Sequence, residues 1–579
     1  MKLKQIDIEN FRSIKSCTIK LNEITAIVGE NNSGKTAILK AINSFFNFEE
    51  EEADFDNAVH RYAPSTITRI RLTFSDLPDK PLYNRANETG DDYNVLFMYS
   101  YSKTKKGRKL FCEYSNTEKV PLDVSAINDI KQDIDYVYIP TNRGSQDLEW
   151  NEDSVFSKLV KRYLEDYTKN RDTLSHNAIA SGSRIRDQVL KKLSRELSSL
   201  NMFDDIGKYK IDFKQTLDYT IFLDKLGLEI SDNNLSFSVS QYGSGVKSLT
   251  VVALYRMLAN LNNNSIILGL EEPETNLHPQ AQRLLIDSIK NSRQSSETQA
   301  IFTTHSPVIV DALNHDDVVL VRRIADEKRG YHTETRQLAK SFWEDHGISD
   351  LKHYNFFHSK NSEFFFARYV IITESITDAQ VIQSMLKPEL EKEMYYVSIV
   401  SLGGVENIQY PFFLLQDLGI PFSAVVDKDF FALYKNGSLA KSRNRINYLP
   451  EYKDCIRRDK RVINSLFKTE SEKEVLKSKF NSSHTMFFDF IKKYNLLPMK
   501  YCLEMDLIEC SKARELYYDH YQLKDEERTM KALLVDRKDS IKDPTVLVPI
   551  FKQLSPAERP NSYKKIRSEL VKRIKNINA

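Results

Sequence analysis

The alternation of polar and apolar residues sets the pattern from the first residues. LKQIDIENF alternates, CTIKL alternates again, and ITAIV is a short apolar run ending at Gly29, so two or three short strands are expected over residues 3–28. In TAILKAINSFF the apolar spacing changes to three and four residues, which predicts a helix directly after a glycine-rich turn. ITRIRLTF, YNVLFMYSYS and YVYIP (136–140) extend the strand texture. An acidic run between them, Glu49 to Glu52 with Asp54 and Asp56, reads as a solvated loop. From about 152 to 215, FSKLVKRYLEDY and RDQVLKKLSRELSSL carry apolar stripes on charged helices. Strand-like YTIFLDKLGLEI and SFSVS follow, then a helix from about 246 to 261. SIILGL and AIFTTH are buried-strand candidates with a helix between them, the pattern of a parallel sheet. A polar, aromatic stretch over 340–366 precedes YVIITE (369–374), YYVSIVSL and FSAVVDKD, which read as a second α/β unit. No internal repeat or low-complexity tract interrupts this order.

Composition narrows the partners. At 579 residues the chain is too long for one core, and two to four domains are expected. The formal net charge is +2, so a nucleic-acid surface must be local rather than global. No apolar run approaches the roughly 18 residues of a membrane span, and the N-terminal segment lacks the apolar centre of a signal peptide. Cys17, Cys112, Cys455, Cys502 and Cys510 are odd in number and form no CxxC pair, which excludes a disulfide scaffold or a zinc site and suits a reducing cytoplasm.

Chemistry enters at Gly29-Glu30-Asn31-Asn32-Ser33-Gly34-Lys35-Thr36, which satisfies GxxxxGK[ST] between an apolar strand and a helix. Small residues let backbone N–H groups curl around phosphates, Lys35 reaches the β and γ oxygens, and Thr36 offers a hydroxyl to Mg²⁺. Downstream, IILGLEEPE ends a buried strand with two acids, where a parallel sheet places catalytic groups. Glu271 would hold Mg²⁺ and Glu272 would polarise the attacking water.

Together, IENFRSIKS, the Walker A box, ILGLEEPETNLHP and IFTTHSP resemble the ABC-type ATPases of the SMC, RecF and OLD (overcoming lysogenization defect) group. The resemblance implies that Glu271 and Glu272 are Walker B acids and that His305 senses the γ-phosphate. It also implies that SQYGSGVKS (240–248), through Gly243, Ser244 and Gly245, caps the nucleotide of a second subunit. Two departures, Glu271 where Asp is usual and GSGVKS for SGGQ, point to slow hydrolysis or to ATP as a binding signal.

A second constellation lies further on. Glu374 ends an apolar strand, Asp378 follows on the first turn of the next helix, and Val425-Val426-Asp427-Lys428-Asp429 ends another strand with a DxD. Residues two apart in an extended segment point the same way, so these carboxylates can share one pocket. Four hard oxygen ligands suit Mg²⁺ or Mn²⁺ and in-line attack of water on a phosphodiester. The set, with the glycine-bearing loop SLGGVENI (401–408), resembles a Toprim domain, with Ser375 standing where glycine is usual.

ATPase followed by Toprim resembles the OLD-family nucleases, including the nuclease subunit of the Gabija system and retron-associated OLD nucleases. The expected fold is α/β: an N-terminal ABC/SMC-like ATPase (1–345) with a helical insertion at 150–218 assigned to dimerisation, a linker (346–365), and a C-terminal Toprim domain (366–579) with helical additions and a basic helical insertion at 431–495. The family pattern implies a further acid in LEMDL, with Asp506 the first choice as ligand and Glu504 the second. It also implies a late lysine, taken as Lys538 with Lys531 and Lys542 as rivals. The implied activity is an ATP-regulated, metal-dependent endonuclease of anti-phage defence. A RecF-like clamp that binds DNA without cutting is the alternative, and it would not need the Toprim acids.

The implied partners are double-stranded DNA, further copies of the chain in a dimer or tetramer, and a second defence protein or a retron nucleic acid; no membrane partner is expected. Lys435 to Lys479 holds 13 Lys/Arg against 6 Asp/Glu, and Arg559 to Lys575 holds seven basic residues and one acid. Both are candidate phosphate-tracking surfaces.

Overall fold

The computed structural model describes residues 1–57, 66–102, 106–113, 118–141, 148–149, 154–165, 188, 190–199, 208–213, 226–232, 235–261, 265–291, 298–327, 330–348, 362–457 and 459–578. They divide into two compact units, Met1–Gln337 and Leu338–Ala579.

In the first unit the apolar runs become the parallel centre of a 12-stranded sheet. Its order there is Val318–Asp326, Ile24–Gly29, Thr298–Thr304, Ser265–Glu271 and Ile134–Ile139, every neighbour parallel. Ile24–Gly29 and Ser265–Glu271 are buried at every position, as expected of strands covered on both faces. The alternating segments Lys2–Phe11, Ile14–Lys20, Ile67–Ser75 and Tyr93–Ser100 pair antiparallel beside this centre. Helix Lys35–Phe46 buries Ile38, Leu39, Ile42 and Phe45 in the unit's core.

Two local readings change. The acidic run is helix Phe48–Asp56 rather than a solvated loop, because Glu51, 3% exposed, is held by Arg12 at 3.5 Å and Lys40 at 3.4 Å. The helical reading of 150–218 holds for Val155–Glu165 and Lys191–Ser199 but not for Lys208–Phe213, a strand paired antiparallel with Leu226–Asp232. KYKIDF alternates with period two, and that pattern outweighs its charge. Much of the expected dimerisation arm (166–187, 200–207 and 214–218) and most of the expected linker (349–361) lie outside the described residues.

The second unit is built on a four-stranded parallel sheet in the order Val397–Ser401, Tyr369–Thr373, Phe422–Val426, Leu496–Pro498. Helices Ile376–Leu386, Pro544–Gln553 and Asn561–Asn578 pack together beside it. Among the described residues the basic insertion is α-helical only from Arg461 onward, in Arg461–Leu466, Glu470–Phe480 and His484–Ile491. Before that, the chain makes an irregular excursion joined by the bridges Tyr434↔Tyr452 and Arg443↔Pro450. Asn436, Asn444 and Asn447 bond the backbone there with their side chains, which competes with helix formation.

Candidate functional site

In the first unit, the glycine-rich turn is fixed from outside. A Cβ on Gly34 (φ +109°) would strike Thr333 Oγ1 and Ser13 Oγ, and one on Gly29 (φ +151°) would strike the Val321 carbonyl. Thr333 Oγ1 donates to Ser33 O at 2.7 Å and lies 2.7 Å from Ser13 Oγ, pinning the loop to strand Gly330–Gln337 and, through it, to the turn between the first two strands. Asn31, Asn32 and Thr36 remain exposed, Ser33 is buried, and Lys35 Nζ donates to Gly29 O (3.0 Å) and Glu30 O (2.8 Å). Burial lowers the Lys35 ammonium to about 8, against the opposing pull of Glu272 and Glu274.

Glu272 and Glu274 converge on that lysine, with Glu271 beside them in sequence. Glu271 Oε2 accepts from Thr141 N (3.3 Å) and Oγ1 (3.2 Å). Glu272 has φ +40°, a conformation locked by its N–H donating to Thr303 O at 3.0 Å and Thr303 Oγ1 at 3.1 Å. His305 Nε2 lies 3.6 Å from Glu272 Oε1, and burial followed by the nearby Lys35 charge lowers its imidazole. Glu274 Oε1 accepts from Thr304 Oγ1 (2.9 Å) and His305 N (2.6 Å). Gly243 and Ser244 are exposed at the start of helix Ser244–Leu261, while a Cβ on Gly245 would come 2.8 Å from Asn276 O.

In the second unit, Glu374 and Asp427 leave the ends of adjacent strands, and Asp427 N donates to Glu374 Oε1 at 3.1 Å. One oxygen each of Glu374, Asp427 and Asp429 lie within 4.8 Å of one another. Lys428 turns the other way, its ammonium 5.1, 5.3 and 5.6 Å from the rings of Phe480, Tyr452 and Tyr501. Burial pushes Glu374 up to about 8, with Asp429 and Asp378 adding to the rise. Burial and then Glu374, Asp378 and Glu504 hold Asp427 well above the carboxylate range. Asp429 Oδ1 is buried and makes no hydrogen bond among the described residues, while Oδ2 accepts from Tyr434 at 3.2 Å. Three crowded hard-oxygen donors, one of them orphaned, fit a divalent cation.

Ser375 explains its departure from glycine. It caps helix Ile376–Leu386 from an extended backbone (φ −134°) in a capping box whose other half is Asp378. Asp378 Oδ2 accordingly accepts from Ser375 N at 2.9 Å, and burial raises the Asp378 carboxyl to about 6. It borders the three-acid cluster instead of completing it.

A family profile described as "Overcoming lysogenization defect protein-like, TOPRIM domain" matches residues 365–429, and one described as "AAA domain, putative AbiEii toxin, Type IV TA system" matches 24–311. The chain thus resembles OLD-like ATPase–Toprim proteins in both units. It is 24% identical to the OLD nuclease of Thermus scotoductus over 74% of this chain and 82% of that one. It is 23% identical to the Old nuclease of Escherichia phage P2 over 75% and 78%. Against an endonuclease GajA of Bacillus cereus the identity is 22% over 74% and 75%.

Beyond the OLD-like Toprim match, the structure gives the two acids of LEMDL and the three late lysines different surroundings. Asp506, 1% exposed, accepts from Lys500 N (2.7 Å) and Tyr501 N (2.8 Å), so its carboxylate is spent holding the preceding turn. Residues two apart on a helix face roughly 200° apart, and it is Glu504 whose charge reaches Asp427 and Asp378. Glu504 is thus the acid of this helix that acts on the carboxylate cluster, while Asp506 is engaged by backbone N–H groups. Likewise Lys542 Nζ lies 3.4 Å from Glu504 Oε1, whereas Lys538 and Lys531 are exposed without such an ion pair among the described residues. Lysine position along the sequence carries no information about which turn faces the acids.

Sequence reasoning missed Glu274, Thr141 and the Ser13–Thr333 clamp in the AAA unit. It also missed Lys460 and Arg457 in the Toprim unit. Lys460 is fully buried, and its charge acts on Glu374 and Asp429, while Arg457 Nη1 donates to Asp429 O at 3.2 Å. The acid-x-acid spacing of Glu272 and Glu274 was a readable signal, and the basic bias of 435–479 was a diffuse one. The basic tail is largely committed internally. Arg573 bonds Ser423, Asn495 and Lys492, Arg567 pairs with Glu389, and Lys565 lies 3.8 Å from Asp489. Among the described residues no helix is long and apolar enough to cross a membrane.

Proposed function

We propose that the chain is an ATP-regulated DNA endonuclease that hydrolyses phosphodiester bonds with Mg²⁺ or Mn²⁺ held by Glu374, Asp427 and Asp429, with Glu504 and Asp378 alongside. The convergence of three carboxylates within 4.8 Å, on strand ends far apart in sequence, carries this reading. When bound, a divalent cation supplies Lewis acidity toward the phosphodiester and a nucleophilic water of lowered pKa. The Asp427 N–H orients Glu374, the capping box holds Asp378 at the rim, and Lys542 offers an ammonium to the scissile phosphate.

In the ATPase unit, Gly29 to Thr36 cradle the phosphates, Glu271 serves the bound Mg²⁺, Glu272 polarises water and His305 reads the γ-phosphate. Gly243 to Gly245 serve the nucleotide of a second copy, so the working form is at least a dimer. The closeness to relatives named OLD nuclease, endonuclease GajA and, in Vibrio cholerae, "Retron Vc95 probable ATPase" supports a role in anti-phage defence in the cytoplasm. A second defence protein or a retron nucleic acid is the further partner.

The test is cleavage of supercoiled plasmid with Mg²⁺ or Mn²⁺, with and without ATP. Glu374→Ala and Asp427→Ala should abolish cutting, and Lys35→Ala should abolish the response to ATP. Undiminished cleavage by both carboxylate variants overturns the assignment.

A further inference from the structure

Between the DxD and helix Arg461–Leu466 the chain makes a hairpin whose foot is bonded to the carboxylate cluster. Tyr434 donates to Asp429 at 3.2 Å and Arg457 donates to the Asp429 carbonyl. Arg443, half-buried on the hairpin, is near enough to interact with the Glu504 carboxylate.

From Arg443 the hairpin runs out to a tip at 444–447 and returns at Pro450. The tip is rigid. Asn444 N donates to Leu449 O (2.8 Å) and Tyr448 N to Asn444 O (3.0 Å). Asn444 Oδ1 accepts from Ile446 N (2.7 Å), Asn447 Oδ1 from Leu449 N (3.1 Å), and Arg443 Nη1 donates to Tyr448 O (2.9 Å). On this braced loop Ile446 is 89% exposed, the most exposed large apolar side chain among the described residues. Next to it in the chain Arg445, and before the tip Lys441, are exposed and make no ion pair among the described residues.

A lone apolar side chain on a surface needs no explanation, but this one is presented by a hydrogen-bonded tip whose foot bonds the carboxylate cluster, next in the chain to the exposed Arg445. Three residues of extended chain span at most about 10 Å, which is roughly three base-pair steps. We propose that the tip is a wedge for double-helical DNA. Ile446 enters a base step next to the cut and unstacks it, while Arg445 and Lys441 contact the flanking phosphates. Isoleucine has no π-face for stacking on a single strand, and apolar wedges of this size are the side chains that kink duplexes. The inference deepens the endonuclease reading and rests on it for the place of the cut.

The experiment uses the full chain and linear duplexes carrying 2-aminopurine at successive positions, bound in Ca²⁺, followed by cleavage in Mn²⁺. Fluorescence should rise with the unaltered protein and fall to the free-duplex level with Ile446→Ala. Cleavage of paired duplex should drop roughly tenfold in that variant and recover on a duplex already unstacked by a mismatch. Ile446→Leu should behave as the unaltered chain does. Unstacking and cleavage of paired duplex unchanged by Ile446→Ala overturn the wedge. The two readings fail separately: Ile446-dependent unstacking with no cutting overturns the nuclease and supports the wedge, and cutting without Ile446-dependent unstacking does the reverse.

Discussion

Replacing Glu374 by glutamine should stabilise the metal-free protein and blind it to metal. In the folded chain the Glu374 carboxyl is raised from an ordinary 4.5 to about 8, chiefly by burial and then by Asp429 and Asp378. A raised carboxyl means that the folded state holds a proton the unfolded chain has released. Its stability is therefore fully present below 4.5 and is lost as pH climbs toward 8. At pH 7.5 the difference spans about three units, or about 4 kcal/mol at roughly 1.36 kcal/mol each. Glutamine is neutral throughout, and its Oε1 can still accept from Asp427 N. Relaxation around the site takes part of the gain, leaving about 1–3 kcal/mol, or roughly 3–10 °C in Tm for a unit of this size. The assay is thermal melting at pH 6.0, 7.5 and 8.5, in EDTA and then in MnCl₂. The unaltered Toprim unit should melt lower as pH rises in EDTA, and Mn²⁺ should restore it most at high pH, where the carboxylates are already ionised. The variant should show a weaker pH dependence, because Asp427 and Asp378 still carry raised carboxyls, and a much smaller Mn²⁺ shift. A Glu374→Gln protein that melts below the unaltered chain in EDTA at pH 7.5, or that keeps the full Mn²⁺ shift, refutes the reasoning.

Glu504→Gln should abolish cleavage with the Tm nearly unchanged. Asp506→Ala should cost about 2–4 kcal/mol by orphaning the Lys500 and Tyr501 N–H groups, read by urea unfolding. Equal stability of the two variants would count against the division of roles between them. Lys542→Met should slow cutting roughly a hundredfold, comparable to losing one preorganised charge, while Lys538→Met should leave the rate within about twofold; plasmid kinetics decide between them. ATP affinity, followed by calorimetry, should weaken as pH rises through about 8, where the metal-free Lys35 begins to lose its proton. A flat profile between pH 7 and 9 would show that Lys35 stays charged.

Strand-and-turn periodicity determined the two α/β units, the glycine-rich turn, the paired acids after SIILGL and the strand-end positions of Glu374 and Asp427. These are local properties. An apolar run that ends in an acid places that acid at the mouth of a parallel sheet whatever the rest of the chain does. Direction on a helix and distance across the chain were decided by tertiary structure. LEMDL contains two acids, and only the packing of its helix turns Glu504 toward Asp427 while Asp506 closes on Lys500 and Tyr501. Lys531, Lys538 and Lys542 are equivalent as sequence, and only the fold brings Lys542 to Glu504. The Ser13–Thr333 clamp joins residues 320 apart, and no local pattern encodes that contact. The basic excursion was legible as charge, but its asparagine-braced tip was not. Side-chain bonds to backbone depend on where each turn closes, and three-dimensional packing settles that.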